Sequence, residues 1–489
     1  MRGCALGALA AAVAVCAGPA LADAALDVLR GQPPPRFAAE RTLPRLTMWC
    51  GAKLSFDVRV ELAEKWGYAL YFGRTHKGVL KKLEDRTSEY SRILALAARD
   101  PKRYPLHVIV APAFTIREYI NELPEETFAR TAAGELVGGK RVWSPLAPDS
   151  VFERIADEEI NMLKPILQRA PIAYITNGGE YGLGHEGHNR KYLEQDRRVV
   201  QAKGRRSWFE FLSQEKGRQE GIVADRLRAA VPGRVLYIYY HADGCPHRNR
   251  YPGWERWAFD YKYVRHVTDL PSSSIYYGHY NTGFAGECDM LTMALNAAAQ
   301  QIALGEPLSY NWVCGGWQRD KGYWTKEPVA DVARYMGFLK CWYAAGMIGG
   351  ISGYFAYDPP ENWIGQFAAH GRVAALFSHL EDFLRNGDLV PGPNKHRWSQ
   401  DLPAYELPTG DDTARAVARK HREREEWLVV AWAATGDERT VRVELPGAGA
   451  VKLFARPAGS VYIVKRRGAE LSAALVDQDP LHPTANLAG

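Results

Sequence analysis

The sequence predicts a (β/α)8 TIM barrel followed by a small antiparallel β-sandwich. Three observations carry that prediction. From about residue 45 to 370, short β-rich apolar runs alternate with longer helical patterns, which is the signature of parallel strands joined by helical crossovers. Eight such units fit into about 320 residues, and no glycine-rich phosphate loop follows the first of them, so a barrel suits the chain better than an open dinucleotide-binding sheet. After about residue 400 the pattern becomes short alternating segments separated by turns such as Thr435-Gly436-Asp437, with no room for helices.

Taken in order, residues 1–22 read as a cleaved secretory signal: a basic start at Arg2, an apolar run over residues 4–16, and Ala20-Leu21-Ala22 before Asp23. The barrel is expected over residues 23–395. Its strands are predicted at 46–49, 68–72, 106–111, 172–176, 235–240, 274–277, 308–312 and 351–357, with strong helical periodicity at 152–168, 208–230, 290–304 and 329–345. The sandwich is expected over residues 396–480, with strands at 426–432, 440–445, 451–454, 461–464 and 471–475, and residues 481–489 as a tail. In that domain Trp427, Trp432, Phe454 and Tyr462 alternate as core positions do.

Composition narrows the function. Of 489 residues, 46% are hydrophobic and 24% charged, an ordinary globular balance that excludes disordered and polytopic membrane classes. No stretch reaches the ~20 apolar residues of a membrane span, so the expectation is an exported, secreted or periplasmic protein. The net charge of +6 is dispersed, and basic stretches such as 197–206 and 415–424 read as solvated faces rather than nucleic-acid patches. Loss of the signal would remove Cys4 and Cys16 and leave five of seven cysteines, an odd number too widely spaced for a zinc ribbon. What stands out is 14 Trp and 25 Tyr, many in loops, where core packing does not require them but flat ligands such as sugar rings do.

In a barrel of this class the functional groups sit where strands enter the following loops. Those windows hold Trp49 after strand 1, Asn177-Gly178-Gly179-Glu180 after strand 4, Tyr240-His241-Ala242-Asp243 after strand 5, His279-Tyr280-Asn281 after strand 6, Asn311-Trp312 on strand 7, and Asp358 to Trp363 after strand 8. A sugar offers an apolar C–H face and a rim of hydroxyls, so aromatic platforms edged by amides, histidines and carboxylates suit it. Trp49, Asn177, Tyr240, His241, Asp243, His279, Asn281, Asn311, Trp312 and Trp363 are therefore the expected substrate-binding residues.

Glycosidic cleavage needs two carboxyl groups, one to protonate the leaving oxygen and one to act as nucleophile or to activate water. Glu180 is the expected general acid, because two glycines let the backbone turn and expose it at the barrel mouth. Asp358, stiffened by Pro359-Pro360, and Glu287, just before a helix, are the candidates for the second carboxylate. No cofactor and no metal are expected. His185-Glu186-Gly187-His188 lies in a Gly-rich loop with a spacing of three rather than four, His241, Asp243, Cys245 and His247 form one short segment, and no Gly-x-Ser-x-Gly elbow occurs.

With the barrel, the strand-4 Asn177 and Glu180, and the C-terminal sandwich, the chain resembles the clan-A glycoside hydrolases. The resemblance covers the layout of residues 45–475 and implies Glu180 as acid. Two features depart from it: in the clan the Asn directly precedes the acid Glu, whereas Gly178-Gly179 intervene here, and the clan's strand-7 Glu has no counterpart in Tyr310-Asn311-Trp312. A partner on strand 8 would make an inverting mechanism plausible, since inverting pairs stand ~6.5–9.5 Å apart. The expected function is thus an exported glycoside hydrolase. The rival readings are a non-catalytic carbohydrate-binding barrel and a metal-dependent polysaccharide deacetylase or lyase.

Overall fold

The computed structural model describes residues 18–49, 54–178, 186–240, 258–276, 290–314, 317–320, 323–326, 331–352, 360–394 and 402–477. Its first part is a barrel of eight parallel strands: β1 Met48–Trp49, β2 Leu70–Arg74, β3 Leu106–Val110, β4 Ile172–Gly178, β5 Leu236–Tyr240, β6 Ser274–Tyr276, β7 Ser309–Cys314 and β8 Met347–Ser352. Parallel pairing runs β2-β3-β4-β5 in one half and β1-β8-β7-β6 in the other. A parallel bridge between Leu46 and Tyr68 joins the halves. On the far side, the segment leading into β6 closes on β5: Asp269 N–H donates to Tyr237 O at 2.9 Å, and Tyr237 N–H donates to the Asp269 carboxylate at 2.7 Å.

Crossover helices form where the chain offers a cap followed by a helical apolar stripe. Ser55, Ser88, Ser207 and Asp331 accept the first free backbone N–H groups of α1 Phe56–Lys65, α2 Glu89–Arg99, α5 Trp208–Ala230 and α7 Val332–Ala344. Between them lie α3 Pro112–Glu118, opened by a proline whose missing N–H costs nothing there, α4 Asp149–Leu167 and α6 Met290–Ala303, and α8 Ile364–Ser378 follows β8. The helix Gly18–Arg30 precedes β1 and buries Ala25, Leu26 and Leu29 in the main core.

Strand residues alternate between two cores. Phe72, Val108, Ile175 and Tyr237 face the helices of the β2–β5 half. Tyr71, His107, Thr176 and Trp312 meet one another on the inside, where the His107 ring lies 5.7 Å from Tyr71 and 6.5 Å from Trp312, and His107 Nε2 is 2.9 Å from Thr176 Oγ1. At the base, Tyr310 O–H donates to Arg45 O and Thr47 Oγ1, while Tyr174 Oη accepts from Arg45 N–H.

β8 begins at Met347, earlier than the expected 351. Gly349 and Gly350 hide it from a propensity reading, yet Gly350 belongs there, because a Cβ would come within 2.6 Å of the Trp312 ring and 2.8 Å of Thr47 Oγ1. A second difference concerns residues 186–188, expected in a loop: they open a helix, Glu186–Leu193.

The strands of the C-terminal region pair antiparallel. β9 Gly387–Leu389, β10 Ala414–His421, β11 Glu426–Ala433, β14 Ser460–Arg467 and β15 Glu470–Leu475 form one sheet in the order β9-β10-β11-β14-β15. β12 Arg439–Leu445 and β13 Gly449–Ala455 form a hairpin packed over it, sharing a core of Ala416, Ala418, Val429, Val443, Leu453 and Val464. Of the aromatics expected inside, Trp427, Trp432 and Tyr462 are buried, whereas Phe454 is exposed.

The basic stretch 415–424, expected as a solvated face, is instead mostly a strand whose opposite side meets the barrel. Arg415 and Arg419 are buried, and Arg419 donates to the carbonyls of Ala344, Phe383, Leu384 and Gly387. Trp432 lies on Gly337 of α7, and Lys340 of α7 is buried against Gly459 O and the Asp477 carboxylate.

Candidate functional site

The described C-terminal ends of β1 to β4 surround a cleft of about 350 Å³. Trp49 enters it from β1, Gly73 and Arg74 from β2, Ala111 from the end of β3 and Gly178 from β4. α1 contributes Arg59, α2 Tyr90 and α3 Phe114, and His76 lines it from the loop after β2. The barrel is thus open where parallel strands deliver their last side chains, as the fold requires of a ligand site.

The floor is aromatic. Trp49 stands edge-on to Trp312 with ring centroids 6.0 Å apart, and Trp312 in turn borders His107. His107 is fully buried, and desolvation pushes its imidazole down to about 3, so it is neutral at physiological pH. The rim carries two guanidinium groups and an imidazole. Arg59 donates from Nε to Leu54 O at 3.1 Å and lies 5.8 Å from the Tyr71 ring. Arg74 stacks over Phe114 at 4.3 Å. The pKa of His76 is lowered by partial burial, then by Arg74 and Lys82.

Beneath Arg74 lies a buried carboxyl, Glu159 of α4. It accepts the Thr115 hydroxyl at 2.5 Å, its Oε2 has no partner among the described residues, and burial raises it to about 7.

Of the residues expected to bind substrate, Trp49 lines this cleft and Trp312 supports it from below. Asn177 does not line it: its side chain turns outward from β4, where Nδ2 donates to Tyr237 Oη at 3.0 Å and Glu220 Oε2 at 3.3 Å. Asn311 is fully buried, with Oδ1 accepting from Ser273 N–H and Oγ–H and Nδ2 donating to Ser309 Oγ. Trp363 is buried at the start of α8, 5.2 Å from Phe367. These three brace the wall, a role that also calls for amides and aromatics. Tyr240 ends β5, its backbone in register with Gly178.

Glu180, Glu287, Asp358, His241, Asp243, His279 and Asn281 lie outside the described residues. Residue-by-residue reading missed Arg59, Tyr71, Arg74, His76, Tyr90 and Phe114. The available signal was Gly73-Arg74 closing an apolar strand and Phe114 closely following another. Among the described residues, no group of three His, Cys, Asp or Glu side chains could hold a metal ion, and no helix is long and apolar enough to cross a membrane.

No family's sequence profile matches the chain, and no curated protein matches it. Solved structures resemble it only distantly. The galactosidase domain of an alpha-galactosidase–sucrose kinase is similar at 13% identity and a TM-score of 0.41, over 93% of this chain and 54% of that one. A GH30 endoxylanase from Clostridium papyrosolvens is similar at 9% identity and a TM-score of 0.39, over 89% and 99%. A maltogenic alpha-amylase from Thermotoga neapolitana is similar at 10% identity and a TM-score of 0.38, over 93% and 94%. Likeness at this level identifies no activity.

Proposed function

We propose that the chain is an exported glycoside hydrolase acting on a poly- or oligosaccharide, with Glu180 as general acid. The observation that carries this reading is the cleft itself: Trp49, Tyr71, Tyr90 and Phe114 line an opening whose β4 edge is Gly178, two residues before Glu180. Aromatic faces of this kind suit the C–H face of a pyranose, and the missing side chain at Gly178 lets Trp49 pack against the β4 edge of the opening.

In this reaction the acid carboxyl protonates the glycosidic oxygen while a second carboxylate, Asp358 or Glu287, attacks the anomeric carbon or deprotonates the attacking water. A protonated acid at neutral pH requires a raised pKa, which an aromatic, partly desolvated opening favours. Export is supported by residues 1–22, whose basic start, apolar run and Ala20-Leu21-Ala22 fit a cleaved signal.

The test is hydrolysis of a panel of chromogenic glycosides and plant and algal polysaccharides by the wild type and by Glu180→Gln. A fall in kcat of about 100-fold or more, with an unchanged Tm, is the expected result; full activity in Glu180→Gln overturns the assignment. No carboxylate lines the described part of the cleft, which favours a second reading, a non-catalytic saccharide-binding barrel. That reading predicts saccharide binding with no product from any substrate in the panel.

A further inference from the structure

We propose that the cleft selects an anionic sugar residue, a uronate or a sulfated sugar, with Arg74 binding the anionic group and Phe114 carrying the ring. The inference rests on the reading of the cleft as a saccharide site and names the class of saccharide.

The lining is unbalanced in charge. Arg59, Arg74 and His76 face the cleft, and no Asp or Glu does among the described residues. Glu89, 3.8 Å from Arg59, pairs with that cation, and Glu118, one of the two acids that act on Arg74, pairs with Lys77 at 2.8 Å. Glu159, the other, lies beneath Arg74, and burial raises its carboxyl to about 7. Arg74 is exposed at the end of β2 and makes no hydrogen bond or ion pair with any described residue. A guanidinium brought to a ligand cleft without a carboxylate partner is a ready receptor for an anion, which it can hold through two parallel N–H bonds.

Phe114 supplies the second half. It is 43% exposed, where a phenyl ring of this size is normally covered, and two guanidinium groups flank it, Arg74 at 4.3 Å and Arg117 at 5.1 Å. Stacking on the ring leaves the hydrogen-bonding edge of each guanidinium for a ligand. A neutral sugar would use the aromatic face and leave both cations idle. A sugar carrying carboxylate or sulfate would use both features together.

The test is affinity electrophoresis of the full chain at about 0.15 M salt, which screens diffuse attraction beyond roughly 8 Å. The immobilised polymers are polygalacturonate and alginate for the uronate arm, κ-carrageenan for the sulfate arm, and galactan, xylan and laminarin as neutral polymers. The expected result is an apparent Kd at least tenfold lower for one acidic arm than for any neutral polymer. Arg74→Gln and Phe114→Ala, both at exposed positions, should abolish that preference. Lys452→Gln, an exposed charge on β13, should keep it. An equal or stronger affinity for a neutral polymer, or an acidic preference untouched by Arg74→Gln, overturns the inference and leaves the saccharide site standing. Retention by no polymer in any arm overturns both.

Discussion

Trp49, at the end of β1, rests on Gly178, at the end of β4, so closely that any side chain at position 178 would run into the indole ring. The contact spans the barrel mouth and sets one wall of the cleft, because a bare Cα admits the edge of the indole against the β4 backbone.

Gly178→Ala should therefore displace Trp49 and, through their edge-on contact, disturb Trp312. We expect a stability loss of about 1–3 kcal/mol, typical of overpacking a fitted interior, read as a lower Tm. Saccharide affinity should fall with it. A variant with unchanged Tm and unchanged affinity would show that Trp49 has room to move and does not define the wall.

Glu159 yields a pH-dependent prediction. Its carboxyl is raised in the folded state to about 7, whereas in the unfolded chain it titrates near its ordinary value of 4.5. The folded state therefore holds the proton more tightly, so the stabilising contribution is complete below pH 4.5 and is lost as pH rises through 7. The loss amounts to about 3 kcal/mol at most, by the linkage of roughly 1.4 kcal/mol per unit. Glu159→Gln is neutral at every pH and escapes this loss. Calorimetry at pH 4 and pH 8 should show the variant level with the wild type at the lower pH and more stable at the higher. The same difference at both values would show that Glu159 does not titrate in this window.

Arg419 joins the C-terminal sheet to the barrel side through the carbonyls of Ala344, Phe383 and Leu384 and to the neighbouring strand β9 through that of Gly387, with burial lowering its pKa to about 10. Arg419→Ala leaves those acceptors without their donor and should cost about 3 kcal/mol or more. Arg419→Lys should recover little, since an ammonium is a point donor and cannot span four carbonyls as a planar fork does. Urea denaturation midpoints measure both, and a full recovery by lysine would mean that charge alone holds the interface.

The barrel was legible because its strands and crossover helices have different apolar periods, and the C-terminal strands because turn residues punctuate them. The start of strand β8 is not legible, since Gly349 and Gly350 look like breaks, whereas in the structure the Asn311 backbone lies against the first and the Trp312 ring against the second. β10 was read as a solvated face, because a run with Arg415, Arg419 and Lys420 looks exposed until a row of carbonyls is found opposite one of them. The place of Trp49 at the barrel mouth is legible from its position at a strand end, and so is that of Arg74; that the Arg74 guanidinium meets the Phe114 ring is not, because the two lie on different strand-to-helix units.

The order of local elements, and with it the class of fold, follows from the amino-acid sequence alone, because alternation and capping act over a few neighbouring residues. Which side of each strand meets the barrel interior was decided only by the tertiary structure. Parallel strands covered on both faces carry apolar residues on both, so the pattern does not say that Thr176 turns inward while Asn177 turns to Glu220, nor that Arg74 and Phe114, forty residues apart, meet at one rim.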